Sequence, residues 1–375
     1  MTQLIRYTLY IASYLTLFLA FSAMAETTEQ PRILMVLSGY GQDGGKTAPG
    51  FEFDEFSKAY VVFTQNGLTV DIASPKGGAV VADEYDPNRA YNQAVLNDPQ
   101  AMTKLNNTLS TQDIDAMKYQ GIFVVGGKGA MFDLPKDLAL HAIIADIYQS
   151  EGSVAAVCHG PAALIDVKLD DGSYLVANKA VNGFTNAEES LFASKWLSDF
   201  EFMLEDKLIE RGGHFESSDI MLSHVTVDSR LVTGQNPSST VAVATALVES
   251  MGITPKPAPS YRDDRTLALI ADLLAGDDSA ALTLGSDAIT YQHDLVGVYG
   301  YYYLQLAQTP QAMQHALTLM LVGREAIANP VLDVQIAKTQ HELGDTDSAV
   351  ALLQRVIAQN PDFEPAQTLL QSLSM

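Results

Sequence analysis

Cys158 is the only cysteine in the chain, so an intramolecular disulfide and a cysteine-built zinc site are both excluded. It sits in SVAAVCHGPAAL, residues 153–164. An apolar strand ends at Val157, and Cys158, His159, Gly160 and Pro161 follow. Small-x-nucleophile-x-Gly is the pattern of a nucleophile elbow, a sharp strand-to-helix turn that lifts a reactive atom into a cleft. A helix starting at Pro161 would point its positive end at the sulfur, lowering the thiol pKa and favouring a thiolate at neutral pH. The His159 N–H could bind a developing oxyanion. Cysteine is also a common buried structural residue, and that is the competing reading.

Two further stretches carry groups such a nucleophile needs. In VVGGKGAMFDLP (124–135), Gly126, Gly127 and Gly129 follow an apolar run. Their N–H groups could form a nest for an anion or a carbonyl oxygen. The spacing matches neither dinucleotide nor Walker loops, and a plain strand-to-helix turn explains the glycines equally well. In GFEFDE (50–55), Glu55 opens a helical pattern. Alone it reads as a solvated helix-start carboxylate.

The elements that must position these groups alternate. Short apolar runs at 33–38, 68–74, 121–125 and 153–157 read as buried parallel strands, with a late strand at 231–233. Helical patterns cover 53–66, 136–149 and 238–249, the last with Ser238 or Ser239 as N-cap. This alternation predicts an α/β parallel sheet with helices on both faces. Three prolines in TPKPAPS mark a linker, residues 254–261. Beyond it, residues 262–375 show helical periodicity only. Ala337, Gly344, Ala349 and Pro361 fall where a tetratricopeptide repeat wants them, so an all-α, tetratricopeptide-like bundle is expected. The α/β domain spans 26–253. The run YTLYIASYLTLFLAFS followed by Ala23-Met24-Ala25 predicts a cleaved signal over residues 1–25 and a periplasmic or secreted protein. An uncleaved anchor is the alternative.

Composition narrows the partners. Lys and Arg number 22 against 45 Asp and Glu, a formal charge of −23. So acidic a chain repels phosphate backbones and anionic headgroups, which argues against nucleic acid and, after signal cleavage, membrane surfaces. The other histidines have no metal-binding spacing, and no metal site is expected. The tyrosines at 299, 301, 302 and 303 read as helix-packing surface.

Seven stretches in order, ILMVLSGYG, GFEFDEFSKAY, VDIASPKGG, GIFVVGGKGAMFDLP, VAAVCHGPAAL, NGFTNAEE and LVTGQNPSS, resemble the DJ-1/PfpI family of the class I glutamine amidotransferase-like superfamily. They cover about residues 32–252. The spacing looks most like the heat-shock chaperone and glyoxalase III branch, with its insertion between the second and third strands at 77–115. The resemblance implies a flavodoxin-like three-layer sandwich. It maps the nucleophile onto Cys158, its neighbouring histidine onto His159 and the helix-start glutamate onto Glu55. The histidine's acidic partner maps onto Glu189, with Glu188 the ambiguous neighbour. The oxyanion and substrate loop maps onto Gly127, Lys128 and Gly129. Glyoxalase-like relatives usually carry histidine where this chain has Lys128, a cation that either favours a carboxylate-bearing substrate or points into solvent.

The resemblance implies an enzyme, here expected to be secreted by its signal, that attacks small reactive carbonyls through Cys158, with neither cofactor nor glutathione. The hemithioacetal would pass through an enediol, with Glu55 or His159 moving protons, to a 2-hydroxy acid. The same groups could serve a cysteine peptidase or amidase, with an acyl intermediate and His159 as base. A redox sensor or chaperone, recruiting protein partners through the helical domain, is the alternative outside catalysis. A homodimer is compatible with each.

Overall fold

The computed structural model describes residues 30–373. The expected signal segment lies outside the described residues. From Arg32 onward the chain forms one compact unit.

Its centre is a seven-stranded sheet. β1 (Arg32–Val36), β2 (Thr69–Ser74), β3 (Leu109–Ser110), β4 (Gly121–Val124), β5 (Ser153–Val157), β8 (Val225–Asp228) and β9 (Leu231–Gly234) pair in the order β3-β2-β1-β4-β5-β9-β8. All pairs are parallel except β8 with β9. The inner strands are apolar throughout because helices flank the sheet: every residue from Ile33 to Val36 and from Val154 to Val157 is fully buried. Chain direction switches sides between β1 and β4, so the loops at their carboxyl ends diverge and leave a crevice there, the usual ligand position in such sheets. α1 (Phe53–Gln65) enters from that crevice and packs on the late helix Thr240–Ser250, while the helix Leu138–Gln149 packs on β4 and β5. A second sheet, β6 (Ala180–Val181) with β7 (His214–Phe215), packs beside β8, where Ala180 N donates to Asp228 Oδ2 at 3.1 Å.

Ser239, one of the two residues expected there, is the N-cap of the late helix, although its side chain makes no capping hydrogen bond because Pro237–Ser239 first forms a 3-10 turn. Gly160–Leu164 is a short 3-10 helix rather than an α-helix.

Residues 254–260 carry neither helix nor strand and run along the end of α1, where Lys256 Nζ donates to Gln65 O at 2.6 Å. The helices that follow are Arg262–Leu274, Ser279–Ser286, His293–Leu304, Pro310–Ile327, Pro330–Glu342, Thr346–Gln359 and Glu364–Leu373. The last four bury Met320, Ile336, Leu353 and Ala366 in a core of their own. Tyr299 is buried where these helices meet the α/β part, as a packing residue.

The helical region grips the two elements that carry the site. On α1, the buried Lys58 pairs with Asp263 (2.9 Å) and Asp264 (2.6 Å) of the first C-terminal helix. Ala187, Leu191 and Phe192 of the helix Asn186–Phe192 pack against a core formed by Ile270, Leu284, Val296 and Leu319.

Candidate active site

The site begins where β5 ends. Cys158 has φ +60°, a left-handed conformation that costs a side-chain-bearing residue energy and is held by its surroundings. Its N–H donates to Gly234 O at 2.8 Å and its carbonyl accepts from Phe184 N at 2.8 Å. These bonds clamp the turn between β9 and the 180–185 segment, and the elbow is formed as expected. The sulfur is almost fully buried and lies 3.3 Å from His159 Nδ1.

His159 Nε2 stands 3.1 Å from Glu189 Oε1, close in distance but misaligned for a hydrogen bond. Both side chains are buried. Glu188 faces elsewhere. It accepts from Thr185 N (3.0 Å) in a capping box, and from Met221 N (2.7 Å) and Asn236 Nδ2 (2.9 Å). Glu188 therefore holds the helix start, and Glu189 is the carboxylate that meets the imidazole.

Glu55 comes from the first turn of α1 and is fully buried. One oxygen, Oε2, accepts the Gly126 N–H at 2.7 Å. The carboxyl lies beside the Cys158 thiol, and its other oxygen, Oε1, is buried without a hydrogen-bond partner. Burial first, then the nearby Glu52 charge, pushes its pKa well above the usual carboxylate range. Glu55 therefore holds its proton more tightly than an ordinary carboxyl does.

The expected lowering of the thiol pKa is overturned. Burial, followed by the charge of Glu55, pushes Cys158 well above the ordinary thiol value, and only the Gly127 N–H on the sulfur works the other way. One turn of 3-10 helix supplies little dipole, and desolvation of a thiolate outweighs it. Cys158 therefore rests as a thiol, with the His159 imidazole beside it.

The glycine turn divides its labour. Gly127 has φ +92° and aims its N–H at the sulfur. Gly129 is corrected as a candidate oxyanion donor, because its N–H is occupied by Gly50 O at 3.0 Å. A Cβ on Gly127 would lie 2.4 Å from Glu52 N. Gly127→Ala should therefore displace this turn, destabilise the fold by about 1–3 kcal/mol and lower turnover more than the stability loss explains. Urea unfolding beside a turnover assay checks both.

Lys128 is half-exposed, and its charge acts on Glu52 and Asp83. Glu52 and Asp83 are residues that the sequence reading missed, although Glu52 stands inside GFEFDE. Also missed was an aromatic wall beside the imidazole. Phe184 lies 4.5 Å from the His159 ring, Phe200 6.2 Å, and Phe132 packs on Phe200 and stacks on Tyr40 at 4.4 Å. These rings give the imidazole an apolar face.

A model of the DJ-1/PfpI family matches residues 46–250. The chain belongs to the DJ-1/PfpI family. Among its relatives, the glutathione-independent glyoxalase hsp3102 of Schizosaccharomyces pombe is 33% identical over 233 residues, covering 58% of this chain and 96% of the relative. The glutathione-independent glyoxalase HSP31 of Saccharomyces cerevisiae is 30% identical over 242 residues, covering 59% and 98%. The rapid encystment protein of Francisella tularensis superposes with TM-score 0.55 at 32% identity, covering 59% of this chain and 99% of that one. Glyoxalase III of Candida albicans shares the fold, with TM-score 0.54 at 23% identity over 59% and 97%. The mostly parallel sheet with its flanking helices is the flavodoxin-like fold of the family. The C-terminal helices lie outside the family match.

Proposed function

We propose that this protein is a glutathione-independent glyoxalase that converts a small 2-oxoaldehyde and water into a 2-hydroxy acid, with Cys158 as nucleophile. One observation carries the reading: the Cys158 sulfur is bracketed by two proton-transfer groups, the Glu55 carboxyl and the His159 imidazole. It is supported by the activity named for the relatives of about 30% identity.

The thiol adds to the aldehyde carbon, forming the C–S bond, and its proton passes to His159 Nδ1. The neutral Glu55 gives its proton to the former aldehyde oxygen, which lies within reach of the Gly127 N–H. As a carboxylate it then takes the C1 hydrogen, and an enediol forms with a proton from His159. Glu55 returns the hydrogen it took to C2 and receives the proton of the C1 hydroxyl, leaving a thioester, which water cleaves to the acid and the free thiol. C1 is oxidised and C2 reduced within one molecule, so no external redox partner is needed. Glu189 keeps the imidazole turned toward the sulfur and stabilises its charged form.

The test is incubation of the purified protein with methylglyoxal, without glutathione, following lactate. Steady lactate formation that is lost on alkylating Cys158 supports the proposal. No lactate from protein whose Cys158 is reduced overturns it. The His159–Glu189 pair also suits an acyl-transfer hydrolase, and ester and amide substrates run in parallel separate the two chemistries.

A further inference from the structure

Glu189 is fully buried, and among the described residues no group donates a hydrogen bond to either of its carboxylate oxygens. His159 Nε2 stands 3.1 Å from Oε1 but out of line. No side-chain bond holds the carboxylate, so the placement of the helix Asn186–Phe192 decides where it stands. That helix has seven residues, and the Thr185–Glu188 capping box fixes its start. Farther along, the hold comes from the C-terminal helices, which lie outside the family match. Ala187 and Leu191, four residues apart and so on one face, press on the core of those helices. Phe192, one turn beyond Glu189, packs on the α/β core and on the helical core at once. Its ring meets Tyr302 of the helix His293–Leu304 edge to face, with centroids 4.9 Å apart.

We propose that Tyr302 is a positioning residue: through Phe192 it holds the Glu189 carboxylate against His159, so that the helical region sets the geometry of a site built in the α/β unit. An edge-to-face pair prefers a definite separation and angle, which fixes the end of a short helix more sharply than aliphatic contact does. The imidazole and the carboxylate meet at hydrogen-bond distance without alignment, so a small rotation of the helix decides whether they bond. Truncating Tyr302 leaves a gap beside Phe192. The helix relaxes into it and carries Glu189 away from Nε2. His159 then lacks the negative charge that stabilises it as it takes the Cys158 proton, across the 3.3 Å between sulfur and Nδ1. The proposal rests on the reading of Cys158 and His159 as reacting groups, and its test needs no carbonyl substrate.

The experiment is the rate of Cys158 alkylation by iodoacetamide at neutral pH, on the full chain, with circular dichroism of each variant. Glu189→Gln should slow it about tenfold or more, the effect of losing a charged hydrogen-bond partner. Tyr302→Ala should slow it about two- to tenfold, the range that an aromatic pair supplies. Tyr302→Phe keeps the ring and should react at the parental rate. Added to Glu189→Gln, Tyr302→Ala should cost nothing further, because it acts through that carboxylate. A Tyr302 that served stability alone would lower Tm and leave the rate of the folded protein unchanged. A rate at or above the parental one in Tyr302→Ala or in Glu189→Gln overturns the proposal. So does Tyr302→Phe reacting as slowly as Tyr302→Ala, or an equal further slowing in the Glu189→Gln background. If Tyr302→Ala does not fold, Phe192→Leu, which keeps apolar volume and removes the ring pair, makes the same comparisons. Absence of lactate formation leaves every one of these rates readable and counts against the proposed function alone.

Discussion

Cys158→Ala is expected to reduce lactate formation from methylglyoxal to background, a loss of about four orders of magnitude or more. Glu55→Gln should lower it about 10²- to 10⁴-fold, the usual contribution of a positioned acid–base group. Combined, the two should cost little more than Cys158→Ala alone, because both serve one bond-forming event. A second readout moves in the opposite direction. Glu55→Gln removes a carboxyl whose ionisation at higher pH raises the thiol pKa, so iodoacetamide should label Cys158 faster at alkaline pH in this variant while turnover falls. A merely structural glutamate would slow turnover and leave the thiol's pH profile where it was. Thermal unfolding separates collapse from chemistry. Glu55 has a folded-state pKa above its unfolded value. It therefore stabilises the fold fully below pH about 4.5, and that contribution fades as pH rises toward the folded value. Glu55→Gln should accordingly flatten the decline in stability above pH 5, with its largest gain at alkaline pH. An unchanged pH–stability curve would mean that Glu55 is ionised in the folded protein, and the acid role assigned to it would fail.

The sequence showed most clearly what depends on local chemistry. Runs such as ILMV and SVAAV could only be buried strands, and they are. The elbow was legible because small residues must flank a nucleophile on so sharp a turn, and Cys158 indeed has φ +60°. β8 was missed because VTVD is short, half-polar and lies at the sheet edge, with Val227 exposed. The thiol's acidity was misjudged for a different reason. Pro161 signals a helix start, and it does start one, but a 3-10 helix of five residues. Burial of Cys158 beside a carboxyl then decides the direction, and burial is a property of the packed fold. Glu52, Asp83 and Lys128 are far apart in sequence. Sheet order brings their loops together at the crevice, so no spacing rule could have grouped them. Glu189 was separable from Glu188 only once the capping box had claimed Glu188.

Lys58→Met should destabilise the protein by about 3–5 kcal/mol, the cost of leaving buried charges without their partner. Lys58 is 4% exposed and pairs with Asp263 and Asp264, while Tyr91 and Tyr261 lie 4.8 and 5.7 Å from its ammonium. Methionine fills similar volume, so the loss would be electrostatic rather than a cavity. One Asp264 oxygen is already buried without a hydrogen-bond partner, and removing the ammonium would strand the other. Asp264→Asn added to Lys58→Met should recover part of the loss, because it removes one of the two orphaned charges. The sign with pH follows from the shifts. The Lys58 pKa is raised above 10.5 by its two aspartates despite burial, so its contribution is whole below that pH and lost above it. Asp263 is lowered from 3.8, so its part is lost only as pH falls below that value. Between these limits the parent should unfold in one transition, because the pair and the core around Ile270, Leu284, Phe192 and Leu191 join the helical region to the α/β unit. In Lys58→Met the join rests on apolar contacts alone. A second, earlier unfolding step seen by tyrosine fluorescence would place the helical region's stability in this contact. Tyr91 also links Asp263 to Asp54, at 3.2 and 3.0 Å. Asp54 in turn raises Glu52 and Glu55. Loosening the helical region should therefore reach the thiol, and a shifted Cys158 alkylation profile in Lys58→Met is the expected sign of it. A stability loss below about 1 kcal/mol would show the pair to be a solvated contact of ordinary surface strength, and the join between the two parts would then be apolar.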